Sequence, residues 1–434
     1  MNTRQSHYRF LSTFVYVYFF AQAMSISLLA LWLRTTLQLS GTETGIVFAA
    51  NFVAAMCSQP IYGFVSDRIG TRKHILWVVS ALCALCGVFF LFVYGPLLQS
   101  NVVLGAIVGG VYLGVTFIAG SYAIESYVDR IGRRHGFEYS RVRLWGSLGF
   151  ASAAMFSGRI YNIDPSINFF LASTAGVAML AMLLLWRSKD DGGDTAEASS
   201  VRLSDALGLL CDPKFWRFMV FVLGVTNIYL VFDQQFPSYF TSLFPDPKTG
   251  AAMFGYLNSA QIFIEACGLF LSPLLVKRIG AKNGLLLAGA IMLVRIAGSG
   301  LAVGPLSISA LKMLHSVELP ILVVSIFRYI ACHFDNRLAS TLYMVGVSFG
   351  HSLGLAILSP LVGKSYDLMG FPATYLTLAV LGLGFLAASV WALQPTPPET
   401  GRGADKATAA SATPAATLGA AAPAQSTQPA SNAN

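Results

Sequence analysis

The chain has 434 residues, of which 55% are hydrophobic and only 11% charged, against about 25% charged in an ordinary soluble domain. With a mean hydropathy of +0.64, that composition excludes a soluble globular or disordered protein. The net charge of +8 therefore has to be read from where the charges fall, and it is not the footprint of a nucleic-acid partner.

Apolar runs of about 20 residues, long enough to cross a bilayer, recur along the chain. They fall at 9–33, 45–65, 74–95, 101–124, 143–163 and 166–186, then at 214–240, 251–276, 283–303, 306–330, 338–363 and 371–393. This predicts an all-α membrane protein of twelve transmembrane helices, with the first and seventh broken by polar residues. The first run lacks a small-residue cleavage site, so it reads as a membrane helix and not as a signal peptide. Residues 187–213, RSKDDGGDTAEASSVRLSDALGLLCDP, interrupt the pattern as a polar cytoplasmic linker. The expected organisation is a six-helix bundle over 1–186, the linker over 187–213 and a second bundle over 214–393. An Ala/Pro/Thr/Ser-rich tail over 394–434 cannot bury a core and is expected to be disordered. If both termini are cytoplasmic, the outer side receives only Arg34, Arg159, Lys248 and Lys364. The other loop lysines and arginines lie inside, as the positive-inside rule requires. Cys83 and Cys86 form a CxxC within an apolar run, which reads as helix packing and not as a metal site.

Two loops echo each other, FVSDRIGTRK at 64–73 and LLVKRIGAKN at 274–283, 210 residues apart. Each follows an apolar helix, the second and the eighth. Such a parallel repeat of six-helix halves is the layout of the major facilitator superfamily. The fuller first copy, Gly63, Asp67, Arg68, Gly70, Arg72 and Lys73, resembles that superfamily's loop signature and implies a conformational role.

Ionisable residues inside the apolar runs are few, and such residues mark ion or substrate pathways. The acids are Glu125, Asp233, Glu265 and Glu318; the bases are Arg143, Arg295 and Lys312, with His315 beside them. Four acids against three obligate bases leave one carboxyl best kept protonated, which points to proton coupling. In ALKMLHSVELPIL, at 310–322, Lys312, His315 and Glu318 are spaced three apart and share one helical face. Glu318 with His315 is expected to be the proton site, Arg295 to switch Glu318 between its states, and Asp233 with Lys312 to be a structural charge pair. Glu125 and Arg143, on consecutive helices, can hold hydroxyls by charge-assisted bonds. Phe150, two turns beyond Arg143, offers an apolar face for a sugar ring.

These residues resemble the oligosaccharide:proton symporter family, over nearly the whole chain apart from linker and tail. The segments that carry the resemblance include TETGIVFAA, GPLLQSN, FEYSRVRLWGSLG, VFDQQF, RIGAKNGLLLAG and LKMLHSVELP. The resemblance implies sugar contacts at Glu125, Arg143 and Phe150, and proton machinery at Arg295, His315 and Glu318. It implies a bacterial-type inner membrane, one disaccharide and one proton as partners beside lipid, a monomer, no cofactor and no enzyme activity. Lactose-type members carry an acid where this chain has Leu230, a lysine at His351, a glutamate at Ile262 and a tryptophan at Phe150. The segment GYLNSAQIFIEA, with Asn258, Gln261 and Glu265 on one face, is similar instead to the sucrose branch. The expected cargo is sucrose, with a galactoside as the alternative and a uniporter or exporter of the same fold behind it. His7, His74, His135 and His333 fall at helix ends or in loops and read as solvated.

Overall fold

The computed structural model describes residues 3–69, 73–186, 211–334 and 342–396. It is helical throughout these residues, with no strand among them. The first half of the chain forms α1 (Thr3–Thr35), α2 (Gly41–Ile69), α3 (His74–Ala84 with Cys86–Ser100), α4 (Val102–His135), α5 (Tyr139–Ile163) and α6 (Pro165–Leu185). The second half forms α7 (Pro213–Ser242), α8 (Pro247–Ile279), α9 (Ala281–Gly300) and α10 (Pro305–His333). A last continuous stretch, Phe349–Ala392, is two helices, α11 (349–369) and α12 (371–392), folded back on each other at Gly370 (φ 77°). Only α5 fails to stand out as an apolar crossing, because Arg141, Arg143 and Arg159 lie along it.

Helix starts follow from local chemistry. Three begin with Asp-Pro, at Asp164, Asp212 and Asp246, whose carboxylates accept the N–H of Ser166, Lys214 and Lys248. The acid caps the free N–H groups while proline fits the first helical position. The Ser166 hydroxyl and N–H hold Asp164 below the usual carboxylate range. Several helices outrun their apolar runs; α4, expected to end at 124, runs to His135 and stops at Gly136, which has φ 73°. Several helices are not straight. α1 is interrupted between Ile26 and Leu29, and α3 bends by 46° at Leu85. π-type turns occupy 89–94, 114–119, 220–226 and 343–348.

One buried apolar cluster draws only on residues from Phe10 to Leu183, and a second only on residues from Phe215 to Leu393. A third joins the halves, packing Leu28 and Leu31 of α1 against Phe232, Phe236 and Tyr375. The outside is apolar as well, with Phe92, Phe270, Leu185 and Val380 exposed, as a lipid-facing surface requires. The two echoing loops end alike: Lys73 donates to the Trp186 carbonyl beyond α6, and Lys282 to the Val390 carbonyl of α12. Each repeat thus places a cation on the C-terminal end of its sixth helix, where the helix dipole favours it. Of the loop signature, Gly63, Asp67 and Arg68 lie on α2, with side chains outside the described residues. Gly70 and Arg72 fall outside those residues altogether, as do 187–210 of the linker and the tail beyond 396. Residues 394–396 of the expected tail are ordered instead, since the Gln394 N–H bonds the Tyr329 hydroxyl and Thr396 bonds His333. His7 is a second departure, being buried and stacked on His135 with ring centres 3.9 Å apart.

Where the two halves touch, contacts gather at the end that carries Arg34. Asp367, at the end of α11, accepts the N–H of Gly41 at 2.6 Å and of Thr42 at 2.7 Å, with the Thr42 hydroxyl at 2.6 Å. Arg34 donates to Gln235, which donates to the Gly41 carbonyl. α2 crosses α11, and α5 crosses α8, at backbone contact distance. A Cβ on Gly45 would stand 2.2 Å from the Ser359 carbonyl oxygen, and one on Gly158 would stand 2.0 Å from that of Ala251, so neither place admits a side chain.

Candidate functional site

A cavity of about 340 Å³ lies between the halves, within the range of about 300–1,000 Å³ that holds a small ligand. α1, α2 and α5 form one wall; α7, α8, α10 and α11 form the other. The first wall presents Arg143, only 3% exposed. Its Nε donates to Glu125 Oε1 at 2.7 Å, and the guanidinium carbon lies 4.0 Å from the centre of the Phe19 ring. Phe150 lines the same wall, whereas Glu125 sits behind Arg143 and does not reach the cavity surface. The wall therefore offers a guanidinium fork held in place by a carboxylate, between two flat apolar rings.

The opposite wall has two layers. Asp233, Lys312 and His315 line the cavity, together with Asn258, Gln261 and Glu265 on α8. Behind them, Arg295 is 1% exposed and Glu318 fully buried. Arg295 donates from both terminal nitrogens to Asp233, at 2.8 and 2.9 Å, and its Nε lies 2.9 Å from Glu318 Oε1. His315 Nδ1 stands 3.0 Å from the same Oε1 and 2.9 Å from the Tyr229 hydroxyl. Glu318 Oε2 is buried with no hydrogen-bond partner among the described residues. A chain of polar contacts thus runs from the cavity, through His315, to a carboxyl that water does not touch.

One expected contact is not made. Asp233 does not pair with Lys312; it meets Arg295, whose planar fork engages both carboxylate oxygens where an ammonium is a single point. Lys312 instead donates to Asn258 Oδ1 at 3.1 Å and Gln261 Oε1 at 2.9 Å, with the Phe254 ring centre 4.4 Å away. The expected proximities of Glu125 with Arg143, and of Arg295 and His315 with Glu318, are present. Phe150 shares its wall with Phe19, which sequence reasoning missed because only the packing of α1 on α5 brings it near. Tyr229 was missed too, although it precedes Asp233 by four residues and so lies on the same face of α7. His351 turns away from the cavity and bonds Thr226 at 2.6 Å, while Leu230 lines the wall.

The sequence model described as the LacY proton/sugar symporter matches residues 1–401. The chain belongs to that family. It is 41% identical to a lactose permease of Klebsiella oxytoca over 84% of this chain and 89% of that one. It is 38% identical to a raffinose permease of Escherichia coli, over 92% and 96% of the two chains. A sucrose permease of Escherichia coli is 36% identical over 87% and 91%. Among solved structures, the nucleoside transporter NupG superposes with a TM-score of 0.72 at 15% identity, covering 90% of this chain and all of the other. That likeness shows the fold alone and nothing about cargo; together with the family match it makes the fold the twelve-helix one of the major facilitator superfamily. Membership of the family makes the protein a multi-pass membrane symporter of sugar and protons, and not an enzyme.

Proposed function

We propose that this symporter imports a disaccharide of the sucrose type with one proton, across a bacterial inner membrane and with both termini in the cytoplasm. The observation that carries the coupling is the buried Glu318, whose Oε1 meets both Arg295 and His315 while its Oε2 has no hydrogen-bond partner among the described residues. A charged carboxylate left half unsatisfied in a dry interior is costly, and protonation of the carboxyl relieves it. His315 Nδ1, in reach of Oε1, is the group that passes the proton to or from the cavity, and Arg295, already on Oε1, stabilises the anion once the proton leaves. On the sugar side, Arg143 meets ring hydroxyls while Phe19 and Phe150 pack on its C–H face.

The closed end that carries Arg34 is the outer face on this reading, so the structure is the state open toward the cytoplasm. The two halves rock about the cavity and expose it to either side in turn. A membrane potential of ~150 mV supplies roughly 3.5 kcal/mol per proton, which corresponds to a few hundred-fold accumulation of sugar. Sucrose is favoured over the galactosides by Leu230, Ile262 and His351, positions at which the lactose-type charges are missing. Uptake of labelled sucrose, lactose, raffinose and melibiose by cells expressing the protein tests this. The reading expects sucrose to be carried in preference, and preference for a galactoside would replace the cargo while keeping the symport.

A further inference from the structure

We propose that Arg34 seals the closed outer face against protons, and that behind it Tyr366 and Tyr375 form a water-bridged wire by which a proton reaches Asp233 once that face opens. The proposal rests on the reading of the protein as a proton symporter whose Arg34 end faces outward.

The two tyrosines flank the fold between α11 and α12, 5% and 0% exposed, and their rings meet edge-on with centres 5.8 Å apart. Neither hydroxyl has a hydrogen-bond partner of good geometry among the described residues. Each nevertheless lies near enough to the other, and to Asp233, for their charges to interact. Tyr375 packs on Phe232, the residue before Asp233, with ring centres 4.6 Å apart. Buried hydroxyls are costly unless bonded, and a water shared between the two rings and the Asp233 carboxylate satisfies them. A hydroxyl can accept a proton while giving up its own, so such a row conducts. A proton from outer water binds the Tyr366 oxygen, the Tyr366 proton moves inward, and the last transfer protonates the Asp233 carboxylate. Both tyrosines end neutral, as they began. His315 Nδ1, 3.8 Å from Asp233, carries the proton on toward Glu318.

A wire that was always open would discharge the proton gradient, because Asp233 lines the cavity that faces the cytoplasm. Arg34 stands at the outer mouth. Half-buried at the end of α1, it donates to Gln235 Oε1 at 3.1 Å, its guanidinium carbon lies 5.2 Å from the Phe371 ring centre, and its charge reaches Tyr366. Arginine is permanently charged, and a fixed cation in a narrow polar passage turns protons back. Arg34 belongs to the first half and both tyrosines to the second, so the movement that opens the outer face also withdraws the cation. The wire then connects only in the state that loads a proton. Neither tyrosine lines the cavity, which keeps this route apart from the sugar.

The test uses the purified full-length protein in liposomes that hold a pH-sensitive dye, with potassium and valinomycin to prevent a voltage and an acid step outside. The wild type should stay tight without sugar, and should acidify the interior with whichever of sucrose, lactose, raffinose or melibiose it carries best. Arg34→Gln should acidify without sugar at least about tenfold faster, the scale on which a nearby fixed charge acts. Arg34→Lys, which keeps the charge, should stay tight. Adding Tyr366→Phe or Tyr375→Phe to Arg34→Gln should restore tightness, which would not happen if the leak came from damaged protein. On its own, Tyr375→Phe should slow acidification with sugar several-fold. A tight Arg34→Gln, equal leaks in Arg34→Gln and Arg34→Lys, a leak that survives both tyrosine changes, or full-speed acidification by Tyr375→Phe overturns the proposal. A wild type that moves sugar without protons overturns the symport reading itself, and the wire with it.

Discussion

Replacing Asp367 by alanine should open the outer face. Its carboxylate accepts three hydrogen bonds from Gly41 and Thr42, all between 2.6 and 2.7 Å, and all crossing between the halves. Asp367 is solvent-exposed and Thr42 half-buried, so each bond deserves the low end of the usual range. The sum is roughly 2 kcal/mol, or about a thirtyfold shift toward the outward-open state. The Arg34–Gln235–Gly41 bridge remains and limits the opening. Ser147, on the cavity wall, can be changed to cysteine in a chain whose exposed Cys57, Cys211, Cys267 and Cys332 have been replaced. A membrane-impermeant thiol reagent added to intact cells then reports access from outside. Asp367→Ala should raise the labelling rate by about thirtyfold and Asp367→Asn by less, since the amide keeps one acceptor. An unchanged rate would mean that the carboxylate does not hold this face shut. A rise confined to inside-out vesicles would mean that the face is cytoplasmic and the assigned orientation is inverted.

Glu318→Gln should keep sugar exchange across the membrane yet abolish uphill accumulation, measured as the steady-state ratio of labelled sugar; retained accumulation would remove Glu318 from the proton path. Arg143→Lys should weaken sugar binding by at least about tenfold, because a point charge cannot replace the fork held by Glu125; equilibrium binding checks it. Since Asp233 bonds Arg295 and not Lys312, a double-mutant cycle between Asp233 and Lys312 should be additive within about 0.5 kcal/mol, whereas Asp233 with Arg295 should couple by more than about 1 kcal/mol. Thermal unfolding of the purified single and double variants measures both cycles.

The helices were legible in the sequence because lipid leaves a chain few options: a run of some 20 apolar residues between polar loops has to be a helix. The candidate residues were legible for the same reason, since Arg143, Arg295 and Glu318 stand out against an apolar background. Pairing was not. Two cations, Arg295 and Lys312, were available to Asp233, and only the crossing of α7, α9 and α10 decides between them. The helix ends were set by caps and not by hydrophobicity: Asp246 starts α8 ahead of its apolar run, and α4 continues past its apolar run to a stop at the left-handed Gly136. Phe19 and Tyr229 carry no charge to mark them, so they emerge only when α1 meets α5 and when His315 turns toward α7. The short ordered segment after α12 was read as tail because its composition is that of the tail. Tyr329 and His333, which hold it, lie more than sixty residues away.

The central claim, that sugar and proton move together through Glu318, is tested most directly by external pH. Energy-depleted cells expressing the protein would be placed in a lightly buffered medium and given sucrose, then each galactoside. The account predicts transient alkalinisation on adding the transported sugar, and none in cells carrying Glu318→Gln although exchange of labelled sugar continues. Labelled uptake by the wild type without any change in pH would contradict it, and so would alkalinisation that survives the loss of the Glu318 carboxyl.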